Sequence, residues 1–495
     1  MTLYELFAAT ARRNPHAVAV EVGGRHVSYR RLAELADAVA GRLVAHLGRP
    51  PVRVGLFATR DLLSFAGYLA ALRTGAAVVP LHHAYPAARN RAMCELSEVD
   101  IVVGGPVEGV EHLLLSDEQL FELPQGSPPP HAAVDDDVAY ILFTSGSTGR
   151  PKGVPIRHRN VLPYLEHNVA RFQLGPGCRT SHTFDLTFDP SVFDLFATWS
   201  AGATLVVPQR AELLTPVDYL VDRGITHWFS VPSVVSVAAQ LGNLPVGRAR
   251  TVRHSVFIGE QLTRDQALAW RATAPDSLLH NVYGPTELTI ACTDYTLPVD
   301  PADWPETTNG TVPIGPVYPF LDHVVLDEHG EPASEGELCV RGSQRFDGYL
   351  DPADNAGRFA GPAGPITPAH YYRTGDRVRR EPTGLVHLGR LDDQVKLRGY
   401  RVEPGEVEAA MRRHDDVDHA VVVTDDEGAD AQLVGFYTGT PRPERDFARW
   451  LRRELPVHMV PRRLRHLESL PLNDNGKVDR AALRALAGDA VRSAR

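Results

Sequence analysis

Very few cysteines run through the 495 residues, and the four present, Cys94, Cys178, Cys292 and Cys339, are far apart. No CxxC pair and no histidine at ligand spacing accompanies them, which argues against a zinc site and against a disulfide framework. Nor is there an uninterrupted apolar run of the roughly 18 residues that a membrane span needs. The N-terminal MTLYELFAATARRNP has no long apolar h-region and reads as a short amphipathic helix. Basic charge is in deficit as well: 51 Lys and Arg against 61 Asp and Glu leave a formal charge of −10, without the concentrated positive face of a nucleic-acid binder. Arg452, Arg453, Arg462, Arg463 and Arg465 do cluster, but beside acidic residues, as a solvated helix face does. Together these absences point to a soluble cytoplasmic protein with no nucleic-acid or membrane partner.

What is present is material for packed cores: 43% of residues are hydrophobic and 23% charged. The length suggests roughly two to four domains. Short apolar runs (Val52 to Ala58, Ala77 to Leu81, Asp100 to Val103, Ala203 to Val207) alternate with helix-like stretches. In Tyr29 to Leu47, for example, Leu32, Leu35, Ala36, Val39 and Leu43 recur at helical spacing. Such alternation predicts an α/β protein with mainly parallel sheets. Around 125–137 the chain turns Pro, Gly and Asp rich and then enters the apolar run Val138 to Phe143, as a surface connection feeding a buried strand would. Past Leu391 the pattern changes to helix-like Glu406 to Arg413, strand-like Ala420 to Val423 and Leu433 to Tyr437, and helix-like Arg445 to Leu455. A domain boundary is therefore expected at Asp392, dividing 1–391 from 392–495.

Directly after the Val138 run comes TSGSTGRPKG, residues 144–153. Its glycines allow an anion to approach the backbone, its hydroxyls and N–H groups supply donors, and Lys152 supplies charge. The spacing departs from GxxxxGK[ST], because Arg150 and Pro151 separate Gly149 from Lys152. Taken alone, such a loop is as readily a flexible turn as a polyphosphate site.

The full ten-residue pattern closely resembles the signature loop of the adenylate-forming superfamily, which includes the adenylation domains of non-ribosomal peptide synthetases, acyl-CoA synthetases and luciferase. The resemblance runs nearly end to end. In order, the sequence contains LRTGAAVVPL (72–81), the loop, FDPSVFDLF (188–196), NVYGPTE (281–287), GELCVRG (336–342), YRTGD (372–376), GRLDDQVKLRGYRVEPGEVE (389–408), LPVHMVP (455–461) and NDNGKVDR (473–480). It implies a large N-terminal domain of α/β subdomains with a β-barrel-like subdomain, and a small mobile α+β C-terminal domain.

The same resemblance implies the site. Thr144, Ser145, Gly146, Ser147, Thr148, Gly149 and Lys152 would hold the β- and γ-phosphates of ATP, Thr286 the α-phosphate, and Glu287 would help bind Mg²⁺. Asp376 would accept from both ribose hydroxyls. Tyr283 would flank the adenine, with Gly259, Glu260, Asn281, Gly284, His387 and Arg390 around the nucleotide. His387 stands where related domains often carry an aromatic ring. Lys477 would be the catalytic cation, bridging the substrate carboxylate and the phosphate oxygens, in a turn made by Asn475 and Gly476 with Asp479 opening a helix. Because Lys477 is so distant in sequence from the loop, the small domain would have to close over the large one. Asp392 matches the hinge, and in a second orientation the stretch Lys396 to Arg401 (KLRGYR), with Lys396, Arg398 and Gly399, would enter the site, Gly399 leaving room for a pantetheine arm.

Asp189 matches the aspartate with which amino-acid-activating members pair the substrate ammonium, and a buried carboxylate without a cation would be costly. The remaining pocket positions by resemblance are Pro190, Phe193, Ser230, Val256, Ile258, Val282, Ile290 and Ala291, none of them charged. Ile258 replaces a commonly small residue and shortens the pocket, so alanine, glycine or serine is expected, with proline next. Pro190 should bias Asp189 toward an extended backbone and leaves a β-amino acid open. No carrier-protein attachment segment is evident, so a discrete phosphopantetheinylated carrier protein is the expected acceptor. Coenzyme A loading, as in an acyl-CoA-type ligase, is the alternative, and a non-catalytic amino-acid or nucleotide binder the remote one.

Overall fold

The computed structural model describes residues 1–124, 133–146, 150–397, 399–425, 431–471 and 478–492. Most of the large domain is built on two sheets. Six strands are ordered Glu111–Leu113, Ile101–Val103, Arg53–Phe57, Ala77–Leu81, Val138–Thr144, Lys152–Arg157, parallel except at the last pair. The other sheet has eight, ordered Thr293–Thr296, Leu278–Tyr283, His254–Phe257, His227–Ser230, Arg179–Ser181, Thr204–Val206, Val18–Val22, Arg25–Ser28, parallel within and antiparallel at both edges. The predicted mainly parallel α/β arrangement is what forms, and the apolar runs read from the sequence are its strands. A five-stranded antiparallel sheet (Leu321–Leu326, Glu335–Gly342, Phe359–Ala360, Tyr371–Glu381, Gly384–Arg390) completes this part.

Helix Tyr29–Leu47 spans the range its apolar stripe predicts. Ser28 Oγ accepts from Arg31 N–H at 3.2 Å to cap it, and Gly48, at φ +69°, ends it in a conformation that costs glycine little. The stripe residues Leu32, Leu35, Ala36, Val39 and Leu43 are all buried. Helix Leu62–Thr74 is apolar all round because it is buried all round. One side meets the six-stranded sheet so closely that a Cβ on Gly67 would lie 2.8 Å from Leu56 Cδ1. On another side Phe65 packs edge-on against Trp199 of helix Pro190–Ala201. Trp199 also meets Phe7 and Phe196 edge-on, so one ring ties together three helices and the second sheet, whose Ala19 carbonyl accepts its Nε1–H.

From residue 397 onward the apolar clusters are separate. Val407, Met411, Val422, Tyr437, Phe447 and Leu451 belong to a small α+β domain in which Val417–Thr424, Leu433–Gly439 and Arg463–His466 form a sheet with Pro404–Met411, Glu444–Glu454 and Arg480–Arg492 around it. The first of these helices begins two residues before the predicted Glu406, because Pro404 takes the N1 position that suits its fixed φ. All four cysteines are free thiols in buried positions. Among the described residues no helix is long and apolar enough to cross a membrane.

Replacing Trp199 with Ala should destabilise the large domain by roughly 3–5 kcal/mol in denaturant unfolding. A loss below about 1 kcal/mol would show that this ring is not what joins its neighbours.

Candidate active site

The parallel strands of both sheets deliver their carboxyl ends to one cleft, where open α/β sheets place ligands. Thr144 ends one strand, Ile258 and Gly259 follow another, and Gly284 and Thr286 follow a third. These residues, with Ser145, Asp189, Pro190, Ile290, Asp376, Arg390, Lys396 and Gly399, line a cavity of about 290 Å³. A second cavity, of about 530 Å³, adjoins it and is lined by Gly259, Glu260, Asn281, Val282, Tyr283, His387, Arg390 and Lys396 among others.

Asp376 lies where the two cavities meet. It accepts from Tyr283 Oη at 2.6 Å, from Arg390 Nη1 at 3.1 Å and faces His387 Nε2 at 2.8 Å. Burial alone would raise its carboxyl, but the Arg390 charge and His387 hold it far below the usual carboxylate range. Arg390 also grips Asp392 through Nε at 2.8 Å and Nη2 at 2.7 Å, so the residue matching a hinge is tied to the cleft. Asn281 donates to the Val312 and Pro313 carbonyls and fixes the wall of the second cavity.

The start of the glycine-rich loop has the character of an anion cradle. Thr144 Oγ1 is buried without a hydrogen-bond partner, which is unusual unless a ligand supplies one. A Cβ on Gly146 would lie 2.1 Å from the Arg150 carbonyl oxygen, so only glycine fits there. Lys152 is buried, with Nζ 3.4 Å from Asp354 Oδ1 and over the Tyr349 ring at 5.6 Å. These features fit a polyphosphate. Ser147, Thr148 and Gly149 lie outside the described residues, as do Lys477 and Arg398.

Glu287 is fully buried. Arg401 Nη1 donates to both its oxygens at 2.9 Å, and Tyr349 Oη donates at 2.5 Å. Burial would raise this carboxyl too, yet the Arg401 charge and the Tyr349 hydroxyl keep it below its ordinary value. A buried, ionised carboxylate already holding a guanidinium fits a divalent cation in the same place.

Asp189 is buried at the start of helix Pro190–Ala201 and accepts from Ile290 N–H at 3.2 Å. Burial pushes its carboxyl up to about 7, with Thr286 and Ile290 opposing and the Glu287 charge adding. Among the described residues it makes no ion pair. The extended backbone expected for Asp189 is not found: at φ −62°, ψ −29° it is helical, despite the following proline. Its carbonyl accepts from Val192 N–H at 2.9 Å and its carboxylate from Ile290, and these two contacts outweigh the pre-proline preference. The Ile290 N–H is itself aimed by a strained turn, since Thr289 and Ile290 have φ of +58° and +75°, rare for β-branched residues. Gln344 clamps that turn, with Nε2 reaching the Leu288, Thr289 and Ala291 carbonyls at 2.9, 3.0 and 2.7 Å.

Of the pocket positions read from the sequence, Asp189, Pro190, Ile258 and Ile290 line the first cavity and Val282 the second. Phe193, Ser230, Val256 and Ala291 are buried but line neither. Phe193 is packed on Phe229 and Tyr164, with centroids at 4.7 and 5.5 Å. Lys396 and Gly399 are in the cleft, and Gly399 N–H donates to Glu260 Oε1 at 2.7 Å. Sequence reading did not assign Tyr349, Gln344 or Arg401 these partners. Arg401 lies in the motif 389–408 and Tyr349 and Gln344 in none, but no local signal gives their partners, because each meets its partner from more than fifty residues away.

Comparison with known proteins agrees with this geometry. The sequence matches the AMP-binding enzyme family over residues 7–350 and the AMP-binding enzyme C-terminal domain over 406–477. It is 36% identical to phosphinothricin tripeptide synthetase PhsC of Streptomyces viridochromogenes over 505 aligned positions, covering 97% of this chain but only 45% of that one, so it spans less than half of that relative. Among solved structures, IdnL7 is 40% identical, with 99% of both chains covered and a TM-score of 0.72. The Vibrio cholerae adenylation domain AlmE, solved with glycyl-adenosine-5'-phosphate, is 27% identical, with 98% of both covered and a TM-score of 0.84. The chain belongs to the AMP-binding enzyme family, and its class is that of the ATP-using, AMP-forming ligases.

Gly146→Ala should weaken ATP binding by at least about tenfold, on the order of 1.4 kcal/mol, in calorimetry. Unaltered affinity in the folded variant would remove this loop from the nucleotide site.

Proposed function

We propose that the protein activates a small uncharged amino acid as its aminoacyl-adenylate, releasing pyrophosphate, and then passes the aminoacyl group to the phosphopantetheine thiol of a separate carrier protein. The observation that carries the amino-acid part is Asp189: a buried carboxylate that faces the reaction cavity and has no cation within ion-pair distance among the described residues. A substrate ammonium answers that need; a plain carboxylic acid does not. The apolar Ile258, Ile290 and Pro190 line the same cavity as Asp189, which supports a small neutral side chain: alanine, glycine or serine and then proline. The helical backbone of Asp189 weakens the motive for a β-amino acid.

In this reading the substrate carboxylate attacks the α-phosphate and pyrophosphate leaves. Thr144, Ser145, Gly146, Ser147, Thr148, Gly149 and Lys152 hold the departing phosphates, and Thr286 the α-phosphate. Asp376 takes the ribose hydroxyls, exchanging part of its present network for them. Tyr283, with Gly259, Glu260, Asn281, Gly284, His387 and Arg390, surrounds the nucleoside. Lys477 steadies the charge that moves between the carboxylate and phosphate oxygens. Glu287 would hold Mg²⁺, whose contribution when bound is to neutralise phosphate charge. The thiol then attacks the aminoacyl carbonyl, forming the C–S bond as AMP departs, with Lys396 and Gly399 at the site and Asp392 as the hinge between orientations. In support of the thiol step, the loop bearing Lys396 and Gly399 lies in the cleft.

Pyrophosphate exchange across the proteinogenic amino acids tests the reading: signal confined to small neutral ones is expected, and none with any amino acid despite ATP binding would refute it. The raised Asp189 carboxyl sets a pH dependence. In the free enzyme it loses its charge as pH falls below about 7, so kcat/KM for the amino acid should drop on the acid side with a midpoint near 7. Asp189→Asn should abolish that limb together with most amino-acid use; an unchanged profile would place the ammonium elsewhere. Ile258→Gly should admit longer side chains, and an identical substrate range would show that Ile258 does not bound the pocket.

A further inference from the structure

The wall of the first cavity beside Asp189 contains backbone in an unfavourable conformation. Among the described residues five other than glycine have positive φ, and of these Thr289 (+58°) and Ile290 (+75°) are the adjacent pair and the β-branched ones. Branching at Cβ makes that region costly, so a chain free to relax would leave it. Here the turn is fastened instead. Gln344, fully buried, spreads its two amide N–H groups over three carbonyls of the turn, Leu288 at 2.9 Å, Thr289 at 3.0 Å and Ala291 at 2.7 Å. Its own Oε1 is buried without a hydrogen-bond partner among the described residues, so the amide is committed to the turn at the expense of a bond of its own. The stretch that carries Gln344 is itself fixed. Thr289 Oγ1 donates to the Gln344 carbonyl at 2.6 Å, Phe346 N–H to the Glu287 carbonyl at 2.9 Å, and Asn160 Nδ2, from helix His158–Arg171, to the Ser343 and Arg345 carbonyls at 2.7 and 3.2 Å. On its other side the turn is pressed against the NVYGPTE segment, where a Cβ on Gly284 would lie 2.5 Å from Ala291 Cα.

We propose that Gln344 is a positioning residue for the amino acid: by holding Thr289 and Ile290 at positive φ, it aims the Ile290 N–H at Asp189 and sets the Ile290 side chain in the wall of the pocket. The inference rests on the amino-acid reading of Asp189. Its basis is mechanical. The Ile290 N–H donates to Asp189 Oδ2 at 3.2 Å, and Ile290 lines the same cavity as Asp189. Released from Gln344, the two residues would relax toward negative φ, which turns both the N–H and the side chain of Ile290 from their present places. Asp189 then loses a donor that favours its charged form, and the pocket loses a boundary. Strain of this kind persists where the surrounding structure over-determines it, and here the surroundings are the Gln344 amide and the bonds that anchor it. None of the side chains assigned to ATP is bonded to the Gln344 side chain, so the effect falls on the amino acid and spares the nucleotide.

The test uses the full chain in pyrophosphate exchange. Gln344→Met keeps the length of the side chain and removes its donors. It should raise KM for the amino acid by about tenfold, leave KM for ATP within about twofold, and narrow the preference for the best small amino acid over longer neutral ones. The acid limb of kcat/KM should also move to higher pH, because the Ile290 N–H favours the ionised carboxyl. The charged and titratable groups that face Asp189, namely Glu287, Lys396, Tyr140 and Tyr164, together with the Thr286 hydroxyl, are the same in both proteins, so the shift reports the Ile290 donor. Gln344→Asn, one methylene shorter, should change the same quantities in the same direction by less. Adding Thr289→Gly to Gln344→Met should bring KM for the amino acid back to within about threefold of the unaltered protein, since glycine holds positive φ without a clamp. An unchanged amino-acid KM and acid limb in the folded variants, an equal loss for ATP and amino acid, or no recovery with Thr289→Gly overturns the inference and leaves the adenylation reading standing. Absence of exchange by the unaltered protein with any amino acid overturns both.

Discussion

Three carboxylates, Asp189, Glu287 and Asp376, lie in one cleft nearly cut off from water. Buried charge must be matched, and much of the architecture around the cleft serves that need. Asp376 is matched within the large domain by Arg390, Tyr283 and His387. Glu287 is matched across the domain boundary by Arg401. Asp189 has hydrogen-bond donors and the more distant charge of Lys396, but makes no ion pair among the described residues. These three solutions differ: one lies within the large domain, one depends on domain placement, and one is without an ion pair among the described residues.

That gradation links the fold to the proposed chemistry. Parallel strands bring the loops together, but backbone supplies neutral N–H donors and no cations to a site proposed to host a triphosphate and a carboxylate. Positive charge comes instead from side chains carried by segments further along the chain: Arg390 at the end of the antiparallel sheet, then Lys396 and Arg401 in the small domain's first hairpin. Lys396 is half-buried in the cleft, where loss of water lowers its pKa against the pull of Asp376 and Asp189. Moving the small domain therefore moves the charge balance of the cleft.

Elements whose signal is local were legible in the sequence. The stripe in Tyr29–Leu47 and the runs at Ala77–Leu81 and Val138–Thr144 gave strands and a helix close to those observed, since one face or both must be buried. Asp189, Glu287 and Asp376 were legible because each sits in an ordered motif. What escaped notice is long-range pairing. Tyr349 reaches Glu287 from 62 residues away and Arg401 from 114; Tyr349 stands outside the recognised motifs, and the motif around Arg401 does not reveal its partner. The backbone of Asp189 was misjudged because a proline preference of local origin competes there with a hydrogen bond from Ile290, 101 residues on.

The buried cysteines have a chemical consequence. An aminoacyl-adenylate is an electrophile, and a thiolate on the protein would intercept it. Cys292 lies two residues from Ile290 in the pocket wall, yet its burial drives the thiol's pKa well above the ordinary range; Cys94 and Cys339 are likewise pushed up to about 12. Burial thus disfavours the thiolates of Cys94, Cys292 and Cys339, which in the proposed reaction keeps these side chains from competing for the activated ester.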